Sequence, residues 1–137
     1  MTARALTRRL TAEALGTMFL LIAVVGSGIM GQRLAAGNDA ITLLANSLAT
    51  GGALIALIGA FGPVSGAHFN PAVTLFEWAQ GRIDRNGALA YIPTQIASAI
   101  AGVVIAHAMF ELPLVQESQH ARDSGGEFIG EIVATLG

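Results

Sequence analysis

A chain of 137 residues in which 53% are hydrophobic and 12% charged carries about half the charge of an ordinary soluble domain, for which about 25% is usual. Its net charge of −2 offers no basic face to a nucleic acid. The absence of cysteine excludes disulfides and thiolate metal sites.

Arg4, Arg8 and Arg9 lead into an apolar run from Thr11 to Met30 that holds one charge, Glu13. Small residues at Gly26, Ser27 and Gly28 loosely imitate a signal-peptide cleavage site. The run nevertheless exceeds the ~7–15 residues of a signal core, and further apolar runs follow it. It reads as a first membrane span over about 8–30, anchored by its arginines.

The second run, Ala40 to Ala67, contains no charge. A helix over 40–61 covers about 33 Å at ~1.5 Å per residue, enough to cross a core that takes ~20 apolar residues. The membrane is therefore crossed before Gly62. Eight residues from Gly62 to Phe69 form an extended, glycine-containing approach with a reach of at most ~26 Å. Asn70 then suits an N-cap and Pro71 the first helical position, so a new helix starts where a spanning helix should be ending. From Asn70 to about Gln80 that helix is roughly 15 Å long, half a bilayer, and it returns Glu77, Trp78 and Arg82 to the surface the chain came from. The segment 62–80 is thus expected to be a re-entrant arm with Asn70 near the membrane midplane. Irregular backbone survives there only where protein covers it or water lines it. A helix lying flat on the membrane surface is the alternative that geometry leaves open.

Gly87 to Phe110 gives a third span, with His107 read as a packed or interfacial histidine. Five basic residues, Arg4, Arg8, Arg9, Arg82 and Arg85, fall on one side of this arrangement, and two, Arg33 and Arg122, on the other. The N-terminus and the Arg82–Arg85 turn are accordingly expected in the cytoplasm. Recurring small residues at Ala49, Ala53, Ala56, Ala60, Ala97 and Ala101 are expected to let helices approach closely. No paired catalytic carboxylates, nucleophile–base set or metal-ligand cluster is visible, so no enzyme, metal site or cofactor is expected. The fold class is all-α membrane protein, three transmembrane helices plus a re-entrant half-helix.

Ser65-Gly66-Ala67-His68-Phe69-Asn70-Pro71-Ala72-Val73-Thr74 resembles the first signature loop of the aquaporin and aquaglyceroporin (major intrinsic protein) family, centred on its Asn-Pro-Ala motif. The resemblance extends to Glu13-Ala14-Leu15-Gly16-Thr17, which matches the family's Glu-x-x-x-Thr pattern, and to Gln95 in the third span. Glu131 to Thr135 repeats that pattern. In a family built from two inverted repeats, this marks 1–126 as a first repeat and 127–137 as the truncated start of a second. The chain is then expected to be an N-terminal half that does not conduct alone. A nonfunctional truncated membrane fragment or assembly partner is the alternative.

What the resemblance implies is a passive channel of the cell membrane for water and/or small neutral solutes, such as glycerol or arsenite-like hydroxides. Its partners would be the lipid bilayer, the missing C-terminal half and, at full length, three further copies in a homotetramer. Asn70 would cap through its side-chain oxygen and keep its amide N–H groups for a permeating oxygen. The helix N-terminus beside it would repel cations. Carbonyls of Gly66, Ala67, His68 and Phe69 would line the lumen as acceptors, His68 acting through its backbone. Glu13 either snorkels to the interface or, as the family implies, is buried to hold backbone donors of the loop, which requires fixed partners. Gln95 either bonds across helices as a general clasp or supports the same loop. Thr50 falls twenty positions before Asn70, where the family places a filter residue. There it either only packs or leaves a wider, less apolar constriction than the large aromatic of water-selective members.

Overall fold

The computed structural model describes residues 3–116 and 124–136. Arg122 lies outside the described residues, as do the side chains of Glu131 and Thr135. The described chain is helical throughout: α1 (Ala3–Leu34), α2 (Asp39–Ser65), α3 (Pro71–Ala79), α4 (Arg85–Met109) and α5 (Gly125–Leu136). Of these, α1, α2 and α4 are long and apolar enough to cross a membrane.

Local chemistry sets the helix ends. Ala36 and Gly37 turn the chain through the left-handed region (φ 49° and 84°) after α1. Asn38 Oδ1 then accepts the Ile41 N–H at 3.2 Å, and Asp39 adds a negative charge to the first turn of α2. Asp84 caps α4 in the same way, its Oδ1 3.3 Å from the Gly87 amide. The helices differ from the spans read from sequence. α1 outruns its span at both ends, 3–34 against 8–30, and α4 starts two residues earlier and ends one sooner, 85–109 against 87–110.

A larger difference lies in α2. The sequence predicts a helix end at Phe61 and extended chain over 62–69, but the helix continues through Gly62, Pro63 and Val64 to Ser65. It ends at Gly66 (φ 93°), whose N–H reaches the Gly62 carbonyl at 3.0 Å. Proline removes one donor and crowds the turn before it. The turn after it is held from outside, because Ser65 bonds to Glu13 of α1 through its hydroxyl and to Tyr91 of α4 through its carbonyl. The irregular approach is thereby shortened to Gly66–Phe69.

α1 packs against both α2 and α4, and α3 packs against α4. The interior is unusually polar: Glu13, Thr17, Ser65, Thr74 and Gln95 are buried beside Ala12, Phe69, Ile83, Ala88, Tyr91 and Ala106. Large apolar side chains face outward instead, among them Phe19, Leu43, Leu48, Ile55, Ile96 and Ile100. A hydrocarbon solvent selects this inversion, since apolar groups lose nothing outside and polar groups must find partners inside.

The expected alanine stripe does not make the helix contacts. Ala49, Ala56, Ala60, Ala97 and Ala101 are exposed and Ala53 is half-buried, and α2, although it packs against α1, fully buries only Ser65. Glycines do the work: a Cβ on Gly102 would stand 2.6 Å from the Met18 carbonyl oxygen of α1. Gly102→Ala should therefore destabilise the chain by about 1–3 kcal/mol through forced separation of α1 and α4. Gly59→Ala, where no atom lies within 4 Å, should be neutral or stabilising by up to about 1 kcal/mol from helix propensity. Thermal unfolding in detergent reads both, and equal shifts would contradict the assigned contact.

Candidate functional site

The site is built on a short stretch of strained backbone. After the helix end at Gly66, Ala67 (φ 52°) and Phe69 (φ 49°) both lie in the left-handed region. Each such non-glycine residue costs of order 1–3 kcal/mol and persists only where its surroundings fix it. The Glu13 carboxylate is what fixes them. Its Oε1 accepts the His68 N–H at 3.0 Å and the Ser65 hydroxyl at 2.6 Å. Its Oε2 accepts the Phe69 N–H at 2.8 Å and Gln95 Nε2 at 2.8 Å. Three of these four groups can only donate, which matches an acceptor-only carboxylate. Glu13 has no exposed surface, so the interfacial alternative is excluded in favour of the buried one.

Further contacts brace the same stretch. The Ser65 hydroxyl accepts the Ala67 N–H at 3.1 Å. The Phe69 ring occupies the space Gly16 leaves on α1, where a Cβ would come within 1.9 Å of it, and meets Phe61 edge-on at 6.2 Å. Gln95 serves as both clasp and support. Its Nε2 also lies 2.9 Å from the Thr74 hydroxyl of α3, which donates to Gln95 Oε1 at 3.2 Å. His68 Nδ1 is 3.0 Å from the same hydroxyl, so the His68 side chain braces the half-helix.

Asn70 opens α3 as the sequence predicts. Its backbone is extended (φ −149°, ψ 129°), Oδ1 accepts the Ala72 N–H at 2.8 Å, and Pro71 holds the first helical position. Asn70 is exposed, and its amide nitrogen takes no part in the hydrogen bonds among the described residues. Those bonds also leave the carbonyls of Gly66, Ala67, His68 and Phe69 without a donor. Glu13 and Gln95 each sit ten residues from the start of their helices, about 15 Å along each axis. The N-terminus of α3 is held at that depth. An open cavity of about 410 Å³ borders the loop, with Arg9, Gly66, His68, Glu77 and Arg82 in its wall. Glu77 and Arg82 form an ion pair there at 2.6 Å.

Thr50 stands apart from this cluster, fifteen residues before Ser65, or about 22 Å along α2. Among the described residues its buried hydroxyl oxygen has no partner, nor has that of Thr17. His107 pairs through Nδ1 with the Leu114 carbonyl at 3.1 Å. Among the described residues, no group of three or more His, Cys, Asp or Glu is placed to hold a metal ion.

Sequence reasoning missed Tyr91, Arg9 and the side-chain role of Thr74. The Tyr91 hydroxyl donates to the Ser65 carbonyl at 2.8 Å and accepts from Arg9 Nε at 2.7 Å. Two signals were available. Tyr91 and Gln95 are polar groups four apart on one face of an apolar helix, and Thr74 follows the Asn70 cap by four residues, one turn into α3.

Comparison with known proteins gives a match to the family described as MIP: Major intrinsic protein over residues 1–137. The aquaglyceroporin AqpS of Rhizobium meliloti (strain 1021) is 50% identical over 132 residues, which cover 96% of this chain and 56% of that protein. The aquaporin NIP1-4 of Oryza sativa subsp. japonica is 40% identical over 101 residues, 74% of this chain and 36% of that protein. Aquaporin Z of Photorhabdus laumondii is 36% identical over 118 residues, 86% of this chain and 49% of that protein. The chain thus spans about half the length of the curated relatives it matches.

Replacing Glu13 should undo the loop. Glu13→Ala leaves several buried donors without an acceptor, each at roughly 1–3 kcal/mol. Glu13→Gln should rescue little, because its NH2 would face donors on one side. We expect both variants to expose the 66–69 backbone to limited proteolysis and to lower the unfolding temperature in detergent; wild-type protection in Glu13→Gln would show that the carboxylate is dispensable.

Proposed function

Because this chain belongs to the major intrinsic protein family, we propose that it forms one three-span repeat of a passive channel passing water and small neutral solutes across the cell membrane. One observation carries the reading. Asn70, exposed at the start of α3 with its amide nitrogen unbonded, follows directly on four backbone carbonyls without donors. A hydroxylated solute moving past would exchange its water shell for those acceptors and then for the Asn70 N–H groups. The α3 N-terminus adds positive partial charge at the same point, which repels cations and leaves neutral molecules unaffected. In this reading the loop, tied to Glu13 of α1 and through it to Gln95 of α4, carries Asn70 into the hydrocarbon core from the cytoplasmic side.

In this reading residues 1–126 are a first repeat and 127–137 the start of a second. The five-to-two arginine bias puts the N-terminus in the cytoplasm. The complete channel would add a second signature arm and assemble as a homotetramer with one pore in each copy. Thr50 is the filter residue of α2. Its small side chain favours glycerol-sized solutes and uncharged hydroxides such as arsenite beside water, in keeping with the name of the aquaglyceroporin relative. The second reading, a nonconducting fragment or assembly partner, is favoured by the open flank of the loop, since Gly66, Asn70 and Ala72 are exposed in the chain by itself.

Stopped-flow flux in proteoliposomes tests these points. The complete protein should pass water and glycerol and exclude ions, Asn70→Ala should lower flux or admit cations, and Thr50→Phe should suppress glycerol at least about tenfold more than water. Water flux without glycerol or arsenite flux in the wild type would remove the wide-filter reading. Solute-specific flux through the 137-residue chain alone would show that one repeat suffices.

A further inference from the structure

The geometry points to a binding site for an acidic phospholipid in the groove between the N-terminal part of α1 and the C-terminal part of α2. Two adjoining cavities define it. One, of about 490 Å³, is lined by Arg4, Ala5, Arg8, Arg9 and Val64. The other, of about 380 Å³, is lined by Arg8, Thr11, Ala12, Leu15, Ala60, Phe61 and Val64. Arg8 and Val64 belong to both, so the cationic mouth runs directly into an apolar trough. Among the described residues, no acidic side chain lines either one.

The sequence builds this shape from helical periodicity. Arg4, Arg8, Thr11 and Leu15 recur at intervals of four, three and four along one stripe of α1, cations first and apolar groups deeper. Ala60 and Val64, four apart on α2, form the facing wall. Arg9 is held in place by its Nε bond to the Tyr91 hydroxyl and its position 5.2 Å from the Tyr91 ring centre, whereas Arg4 and Arg8 are exposed. The distance from Arg4 to Leu15 is about 16 Å along the helix, half a hydrocarbon core. A phosphate at the mouth would thus carry one acyl chain along the trough. Free phosphate matches the arginines but not the trough, and a neutral lipid matches the trough but not the arginines. Each arginine near an anionic membrane surface attracts it measurably. Arg9 and Val64 also border the cavity beside the loop, but Arg4, Arg8 and Ala60 do not, so changes at those three residues separate lipid binding from conduction.

Native mass spectrometry of the detergent-solubilised chain, titrated with dioleoylphosphatidylglycerol or dioleoylphosphatidylcholine, tests the site. We expect selective binding of the acidic lipid, weakened about 30-fold in Arg4→Ala/Arg8→Ala and less than about threefold in Arg82→Ala/Arg85→Ala, which removes the same charge elsewhere. Ala60→Trp, which fills the trough, should weaken it while leaving the arginines intact. Equal losses from both arginine pairs would reduce the effect to general electrostatics and overturn the site. Glycerol phosphate competing as well as the lipid would make it a free-anion site, and an oligomer that binds no acidic lipid would assign the groove to a second copy; either result also overturns the proposal.

Discussion

A single buried carboxylate organises this molecule. Removing a charged group from water costs several kcal/mol even after relaxation, and a lone carboxylate would not be tolerated among apolar helices. Glu13 is accommodated because four neutral donors converge on its two oxygens, two on each. They come from the end of α2, from the loop and from α4, while Glu13 itself belongs to α1. α3 joins through Thr74, which bonds to Gln95. The desolvation cost of one side chain is thus offset only when all four elements are in place, which couples the strained loop to the packing of the long helices.

The packing itself follows from the solvent. Helix association in hydrocarbon gains nothing from burying leucine, so it depends on close backbone approach and on polar groups that need partners. Both are present along α1. Gly16 admits the Phe69 ring, and Met18 meets the backbone at Gly102. Glu13 finds four donors on the buried face of α1, whereas the hydroxyl of Thr17, four residues on, is buried with no partner among the described residues. Toward the other end, Asn46 of α2 donates to the Val24 carbonyl at 2.7 Å and to the Ser27 hydroxyl at 3.1 Å. Arg33 reaches the Phe110 carbonyl at the end of α4 at 2.6 Å. Polar contacts therefore tie α1 to its neighbours at several levels, with apolar surface left for the outside.

Much of this was legible in the sequence, for identifiable reasons. The Asn70-Pro71 start of α3 is a local matter of capping and fixed φ, and the structure has it at the expected residue. The three long helices follow from run length and the absence of charge. The end of α2 was not legible, because Gly62 and Pro63 are local break signals while the bonds that override them reach Ser65 from Glu13, 52 residues before it, and Tyr91, 26 after it. Glu13 had two readings for the same reason: its burial depends on donors supplied by other segments. The alanine stripe could not be given a partner, because periodicity identifies a face without saying what meets it.

Peptide geometry links the carboxylate to the chemistry of the open side. In a trans peptide the N–H and the preceding C=O point in opposite directions, and the described chain has no cis bond. The His68 and Phe69 N–H groups both point at Glu13, so the carbonyls of Ala67 and His68 must point away from it. Glu13 thereby turns two acceptors outward without touching them. The next group along the chain is Asn70, whose Oδ1 is occupied by the Ala72 N–H, leaving donors on that side chain. In the proposed channel a solute would meet acceptors and then a donor, an order that one buried charge and one helix cap are enough to impose. A single helix N-terminus contributes only about half an elementary charge, so the electrostatic barrier to cations would be doubled by a second such arm facing the first.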